Sequence, residues 1–157
     1  MATDETMMIA DRLAVADVIV RYFALVDAKA WDSFHEVFTD DTTARWSAGA
    51  MVQGRDRLVE ATRHMIGSDD VVTFHHVSSM TPVVDGDRAT VTPRVRAMHF
   101  GVGPRAGLHY ESLATQPTEL VRTADGWRIS HHEWSIAVKL GSLEGLFEPE
   151  ISAGKKH

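Results

Sequence analysis

Apolar residues recur every three or four positions over the first thirty residues of the chain. They are Ile9, Leu13, Ala16, Val20, Phe23, and Val26 or Asp27. This spacing is typical of an amphipathic α-helix with one apolar face. Asp4 and Thr6 are candidate N-caps for it. We therefore expect a long N-terminal helix that packs its apolar face against the rest of the fold.

Two shorter segments repeat the helical spacing. The first has its apolar face formed by Trp31, Phe34, Val37 and Phe38, and residues 39–41 interrupt it. The second covers residues 55–66, and Gly67 is its natural C-terminal stop. Between them, residues 42–46 favour a short strand. A turn around residues 48–50 and a further short strand before Gly54 complete this part of the chain.

From residue 71 onward the pattern becomes that of β-strands. Long strands are predicted over residues 71–84, 89–100, 108–122 and 127–140. Residues 85–87 and 125–126 are hairpin turns, and the glycine- and proline-rich residues 101–107 form a loop. Helices followed by such a meander predict an α+β fold. We expect a curved, mostly antiparallel sheet wrapped around the long helix, with two further short helices and a cone-shaped cavity that suits a small ligand.

Length and composition limit the class of protein. The 157 residues suit one domain, with residues 141–157 as a C-terminal tail or lid. A net charge of -6 argues against a nucleic-acid partner, and the absence of cysteine excludes disulfides and thiolate metal sites. Acids and arginines throughout the first thirty residues predict no signal peptide and no membrane span. The expected location is the cytoplasm.

Polar residues fall at three places in the chain where burying a polar side chain costs free energy. Asp27 lies in register with the apolar helix face, near the unfavourable end of the helix dipole, unless the helix frays there and the carboxylate is solvated. His75 and His76 are adjacent in a strand, so only one of them can face a cavity. His99 shares its strand face with apolar residues. It is either a core histidine or a catalytic one.

Metal and nucleotide signatures are missing from the sequence. The histidine pairs at residues 75–76 and 131–132 cannot chelate one ion together, because adjacent strand residues point to opposite faces. No H-x-H spacing and no phosphate-binding glycine loop occur. We therefore expect no cofactor and no metal.

For two of the strands, the pattern does not decide which face points toward the core. Either His109, Glu111 and Leu113 or the alternating set Tyr110, Ser112 and Ala114 can face inward. In the last strand, the apolar face that begins at Trp127 has the opposite parity to the one that begins at Trp134. A β-bulge near residues 131–133 would reconcile the two.

Four stretches, residues 22–32, 54–59, 73–79 and 125–129, resemble a known family. They are similar to the SnoaL-like members of the nuclear transport factor 2-like superfamily. Relatives there include scytalone dehydratase, ketosteroid isomerase, limonene epoxide hydrolase and the polyketide cyclases. The resemblance covers residues 11–139.

The resemblance implies an Asp27–His75 pair across the cavity mouth. Asp27 would accept a hydrogen bond from one ring nitrogen and fix the tautomer, while the other nitrogen acts as general base or acid. Tyr22 and His99 complete the predicted catalytic set, with Tyr110 as the alternative tyrosine and His109 as the alternative second histidine. The tyrosine that precedes the aspartate in scytalone dehydratase is Val26 here. The predicted substrate contacts are Tyr110, Trp46, Phe23, Val77 and Trp134.

The implied function is a cofactor-independent lyase or cyclase with dehydratase-like acid–base chemistry. Its substrate would be a small hydrophobic oxygenated molecule, such as a polyketide- or steroid-like ring. The alternatives are a non-catalytic ligand-binding or partner-dependent protein of the same fold, and an isomerase like ketosteroid isomerase. Epoxide hydrolysis needs a carboxylate network that Asp27 alone does not make. The resemblance also implies a homodimer.

Overall fold

A computed structural model of the protein describes residues 2–46 and 49–147. The order is the predicted one, with two helical segments, two strands and a further helix before the long antiparallel strands. The helices are α1 (Ala2–Asp27), a 3-10 helix (Trp31–Glu36), α2 (Arg55–Ile66) and a short 3-10 helix (Gly103–Arg105). The strands are β1 (Phe38–Trp46), β2 (Met51–Gln53), β3 (Val71–Ser78), β4 (Val83–Asp85), β5 (Arg88–Val91), β6 (Arg94–Gly101), β7 (His109–Thr115), β8 (Thr118–Thr123) and β9 (Gly126–Gly141). Part of the predicted turn at residues 48–50, and the tail after residue 147, lie outside the described residues.

The strands form one curved sheet in the order β3-β6-β7-β9-β8-β5-β4. Neighbours along this path are antiparallel, and β1 adds a parallel pairing with β9. The 16-residue β9 pairs with β1, β7 and β8, so it is the spine of the sheet. The predicted α+β class with a curved, mostly antiparallel sheet is confirmed. Among the described residues, no helix is both long and apolar enough to cross a membrane.

Three of the predicted long strands are each divided in two. The breaks fall at residues 79–82, 92–93 and 116–117, and each contains a proline: Pro82, Pro93 and Pro117. Proline has no amide hydrogen to give to a sheet, so the ladder stops there. The breaks let the sheet bend around α1, which the expected continuous strands would not allow.

The buried face of α1 differs from the predicted one. Ile9, Leu13 and Val20 are exposed. The core face consists of Val15, Val18, Ile19, Tyr22, Phe23 and Val26. The prediction is confirmed for Phe23 and Val26 and wrong for Ile9, Leu13 and Val20, because apolar residues occur all around this helix and burial begins only in its C-terminal half.

Two other predictions shift by a few residues. The second helix is a single 3-10 segment, and residues 39–41 belong to β1 instead of interrupting a helix. In β9 the expected bulge is present slightly earlier, at Ser130, which pairs with no residue of β8 while Ile129 and His131 do. The extra residue reverses the parity of the strand, so both Ile129 and His132 are buried.

The core between α2 and the sheet gives a direct test of this packing. Leu58 has no exposed surface, whereas Leu13 is 67% exposed. We expect Leu58→Ala to lower the free energy of unfolding by about 2–5 kcal/mol. Leu13→Ala should change it by less than about 0.5 kcal/mol. Urea unfolding measures both, and equal losses in the two variants would contradict the assigned packing.

Candidate active site

Asp27 ends α1 with its carboxylate turned to β3. It accepts hydrogen bonds from the Thr73 hydroxyl (2.8 Å), the His75 backbone N–H (2.9 Å) and the His75 ring nitrogen Nδ1 (2.6 Å). Thr73 and His75 are two residues apart in one strand, so their side chains share a face. The alternative of a frayed, solvated Asp27 is therefore wrong.

The hydrogen bonds decide the charge of this carboxyl. Burial raises the pKa of Asp27, but the contacts with His75 and Thr73 outweigh it and hold the pKa below its ordinary value. Asp27 is thus ionised at neutral pH and can only accept hydrogen bonds. Nδ1 of His75 must therefore carry a proton in this contact, so Nε2 is the ring nitrogen that remains available for proton transfer.

His75 is the histidine of its pair that faces inward. Its side chain is only 6% exposed, while His76 is exposed on the other face of β3. The His75 ring lies 5.0 Å from the Phe23 ring, and 5.8 Å from the His99 ring in a perpendicular arrangement. Two imidazoles and an aromatic wall therefore meet at one place.

His99 is buried on the inward face of β6, as its strand pattern predicts. Its Nδ1 lies 3.3 Å from the backbone carbonyl of Tyr110, which can only accept, so Nδ1 donates. Burial and, to a lesser extent, the nearby His75 ring lower the pKa of His99 to about 4. His99 is neutral at pH 7, with Nε2 as a hydrogen-bond acceptor.

These groups line a cavity of about 180 Å³ between the helices and the sheet. Polar groups are few in it: Tyr22, Thr62, His75, His99, Tyr110, Ser112 and Lys139. The predicted contacts Phe23, Trp46, Tyr110 and Trp134 also line it. Val77 is absent from its wall and packs against the main core. Asp27 stands behind His75, outside the lining residues.

Several lining residues were not predicted. Thr62 and Ile66 lie on the buried face of α2 at a spacing of four residues, a signal present in the sequence. Ser112 faces inward with Tyr110 and Ala114, which settles the open face of β7. The sequence could not select Ser112 over Glu111, because both faces of that strand carry polar groups.

The segment after β9 covers the cavity. Leu146 is fully buried, and its carbonyl accepts a hydrogen bond from Arg105 at 2.6 Å. The Phe147 ring stands on edge against His99 at 5.1 Å. Residues 143–147 therefore lie against the cavity, and Leu143 and Phe147 are among its lining residues. Within the described residues, no three His, Asp or Glu side chains come together as metal ligands.

Comparisons with known proteins agree on one family. The model of the SnoaL-like domain matches residues 7–133. An uncharacterized protein of Mycobacterium tuberculosis is 29% identical over 126 residues, which are 77% of this chain and 82% of the relative. The crystal structure of the Kfla4162 protein from Kribbella flavida superposes with a TM-score of 0.77 at 25% identity and covers 83% of this chain and 93% of its own.

An enzyme is also among the structural neighbours. The hexachlorocyclohexane dehydrochlorinase LinA-type3 from Novosphingobium barchaimii has a TM-score of 0.74 and 15% identity. The match covers 90% of this chain and 96% of that enzyme. At this identity the likeness shows a shared fold.

The buried His99 makes stability depend on pH. Its folded pKa of about 4 lies below the ordinary 6.5, so the unfolded chain binds a proton that the folded chain does not. Stability should fall as the pH drops from 6.5 to about 4. We expect His99→Gln to flatten this fall by up to about 1.4 kcal/mol per pH unit, measured by urea unfolding.

Titration of Asp27 serves as a reference when the wild type is compared with His99→Gln. The Asp27 carboxylate also stabilises the fold, and its contribution is lost only below the ordinary Asp value of 3.8. Wild type and His99→Gln should therefore share that more acidic loss. An unchanged slope between pH 6.5 and 4 in the variant would contradict the neutral, buried His99.

Proposed function

The chain belongs to the SnoaL-like family, and from this premise we propose that it is a cytoplasmic, cofactor-independent lyase or cyclase. Its substrate would be a small, mostly apolar, oxygenated molecule such as a polyketide- or steroid-like ring. The observation that carries the proposal is the 2.6 Å contact between the Asp27 carboxylate and Nδ1 of His75 in the wall of an apolar cavity. LinA-type3, which shares the fold, is named for an elimination reaction.

In the proposed reaction His75 is the base. Its Nε2 takes a proton from carbon next to a substrate carbonyl, and the C–H electron pair forms a double bond as the C–O bond of a hydroxyl group breaks. The imidazolium returns the proton to the departing oxygen, which leaves as water. Asp27 stabilises the imidazolium that forms in between, as a buried carboxylate does for a neighbouring histidine. In a cyclase, the carbanion left by the same proton abstraction attacks a second carbonyl carbon, the π bond of that C=O opens to an alkoxide, and the imidazolium of His75 returns its proton to the alkoxide oxygen.

The other polar groups of the cavity would hold the substrate oxygens. A carbonyl needs a hydrogen-bond donor, and Tyr22 and Tyr110 each offer a hydroxyl in the cavity wall. His99 donates its Nδ1 proton to the Tyr110 carbonyl, so its Nε2 can accept from a substrate hydroxyl. We therefore propose a β-hydroxy carbonyl compound as the substrate class.

The Asp27–His75 pair is tested by conservative substitution. We expect Asp27→Asn and His75→Ala each to lower kcat by about 10²–10⁴ on a β-hydroxy ketone substrate, because the positioned base is lost. The measurement is the appearance of the conjugated enone by absorbance. Circular dichroism checks that each variant still folds.

His76→Ala is the matched control, since His76 neighbours His75 but is exposed on the opposite face of β3. It should keep wild-type turnover. Near-wild-type turnover in Asp27→Asn or His75→Ala would reject the assigned roles. A ligand that raises the Tm of wild type and is never converted would favour the binding-protein alternative.

We also propose that two copies associate through the outer face of the sheet. Large apolar side chains are exposed there on β3, β6, β7 and β9: Val72, Phe74, Phe100, Leu113, Val138 and Leu140. They are adjacent across the strands, since Val72 pairs with Phe100 and Leu113 with Val138. Large exposed apolar side chains gathered on one face favour an interface with another protein chain. The Arg96–Glu111 ion pair on the same face is self-neutralising.

A charge placed on that face should separate the copies. Phe74 is 54% exposed, and we expect Phe74→Glu to convert a dimer into a monomer in light scattering coupled to size exclusion. Val83→Glu is the control, because Val83 is 63% exposed on β4, away from this face. A monomeric wild type, or a dimeric Phe74→Glu variant, would contradict the interface.

A further inference from the structure

Four inward-facing residues form one row across the sheet, from β3 to β9. His75 of β3 pairs with Ala97 of β6. Ala97 in turn pairs with Ser112 of β7, and Ser112 pairs with Lys139 of β9. Directly paired residues of adjacent strands have their side chains on the same face of the sheet. All four residues line the cavity, so the row is one wall of it. We call it the His75–Lys139 row.

The two ends of the row carry functional groups, and its middle is small. Ala97 and Ser112 are both buried, and a methyl group and a hydroxymethyl group form a low floor there. Neighbouring strands lie about 4.8 Å apart, so the two ends of the row are about 14 Å apart along the sheet. A molecule on this floor can therefore contact the His75 ring with one end and extend toward Lys139 with the other.

A second β-bulge in β9 puts Lys139 in this row. Ile136 and Val138 pair with consecutive residues of β7, so Ala137 between them is an extra residue. Without it, Val138 would follow Ile136 on the inward face, because strand side chains alternate. Instead, Val138 and Leu140 are 44% and 47% exposed on the outer face. The strand thus turns two apolar side chains outward and a charged one inward, the reverse of what core packing favours.

Lys139 places an ammonium group at the mouth of the cavity, since the residue is exposed and yet lines the wall. Among the lining residues in the described part of the chain, it is the only lysine or arginine, and no aspartate or glutamate occurs. Within residues 2–46 and 49–147, no carboxylate forms an ion pair with it. The Asp27 carboxylate lies at the other end of the row and already accepts three hydrogen bonds. The ammonium and its three donors are therefore available to an anionic group of a bound molecule.

We propose that the cavity takes an apolar molecule with a carboxylate at one end, and that Lys139 binds this carboxylate while the other end lies at His75. One ammonium balances the single charge of a carboxylate, whereas a doubly charged phosphate would keep an unpaired charge against an apolar wall. Lys139 is thus a specificity-determining residue. It narrows the proposed substrate class to β-hydroxy ketones that bear a carboxylate. This narrowing rests on the proposed function, whereas the carboxylate site does not.

Calorimetric titration with a matched pair of probes tests the site without turnover. The probes are β-benzoylpropionate and β-benzoylpropionamide, which share a phenyl ketone and have no hydroxyl group to lose. We expect wild type to bind the carboxylate about fivefold more tightly than the neutral amide at about 0.01 M salt, as suits an accessible ion pair. At about 1 M salt the preference should disappear, because salt screens the charges.

Substitution of Lys139 should change the preference between the probes. Lys139→Gln should bind both probes equally, and Lys139→Glu should prefer the amide, because like charges repel. Arg88→Gln is the matched control, since it removes the same charge from an exposed residue of β5 outside the lining residues. It should keep the wild-type preference. Equal binding of the two probes by wild type, binding of neither, or an undiminished preference in Lys139→Gln would overturn the site.

Turnover separates the carboxylate site from the proposed reaction. The substrate is the aldol adduct of benzaldehyde at the methyl carbon of levulinate, a β-hydroxy ketone that bears a carboxylate. Lys139→Gln should raise its KM about fivefold and leave kcat nearly unchanged, because Lys139 binds the substrate equally in the ground and transition states. With the amide of the same adduct, KM should not change.

The two proposals can fail separately. A lower kcat with unchanged KM in Lys139→Gln would overturn its role in specificity. If the binding preference is present and neither adduct is converted by wild type, the proposed function is wrong and the carboxylate site stands.

Discussion

The Asp27 carboxylate is a charge in a half-buried place, and it is stable there only because three donors from β3 reach it. Leaving such a charge without partners is costly in a protein interior. The donors come from Thr73 and His75, so one group fixes the end of α1 against the strand. The same contacts choose the tautomer of His75. The same hydrogen bonds therefore set both the position of the end of α1 and the ring nitrogen of His75 that carries a proton.

The shape of the cavity follows from how the sheet bends around α1. Prolines interrupt three antiparallel segments, and the spine strand β9 joins the two halves through its pairings with β7 and β8. The strands contribute the histidines and Ser112, whereas Met65 and Ile66 of α2 add an apolar wall. Because the cavity is apolar and holds few polar groups, a hydrogen bond formed inside it is stronger than the same bond in water.

Much of this arrangement could be predicted from the sequence. The bounds of α2 and the inward position of His99 depend on local periodicity, which a single strand or helix displays. Alternation in β3 shows only that one of His75 and His76 faces inward, and the family resemblance selected His75. The buried face of α1 could not be predicted, because its apolar residues surround the helix and only contact with the sheet selects among them. The partners of Phe147, and the row that joins His75 to Lys139, depend on strands that are distant in sequence.

Because of the bulge at Ser130, the number of residues in β9 decides which of its side chains face the core. Side chains of a strand alternate between faces, so a single residue deleted there would turn His132 and Trp134 outward and carry Glu133 toward the core. The fold therefore tolerates a substitution in this strand, or an insertion in its turns, far more readily than a change of one residue in its length.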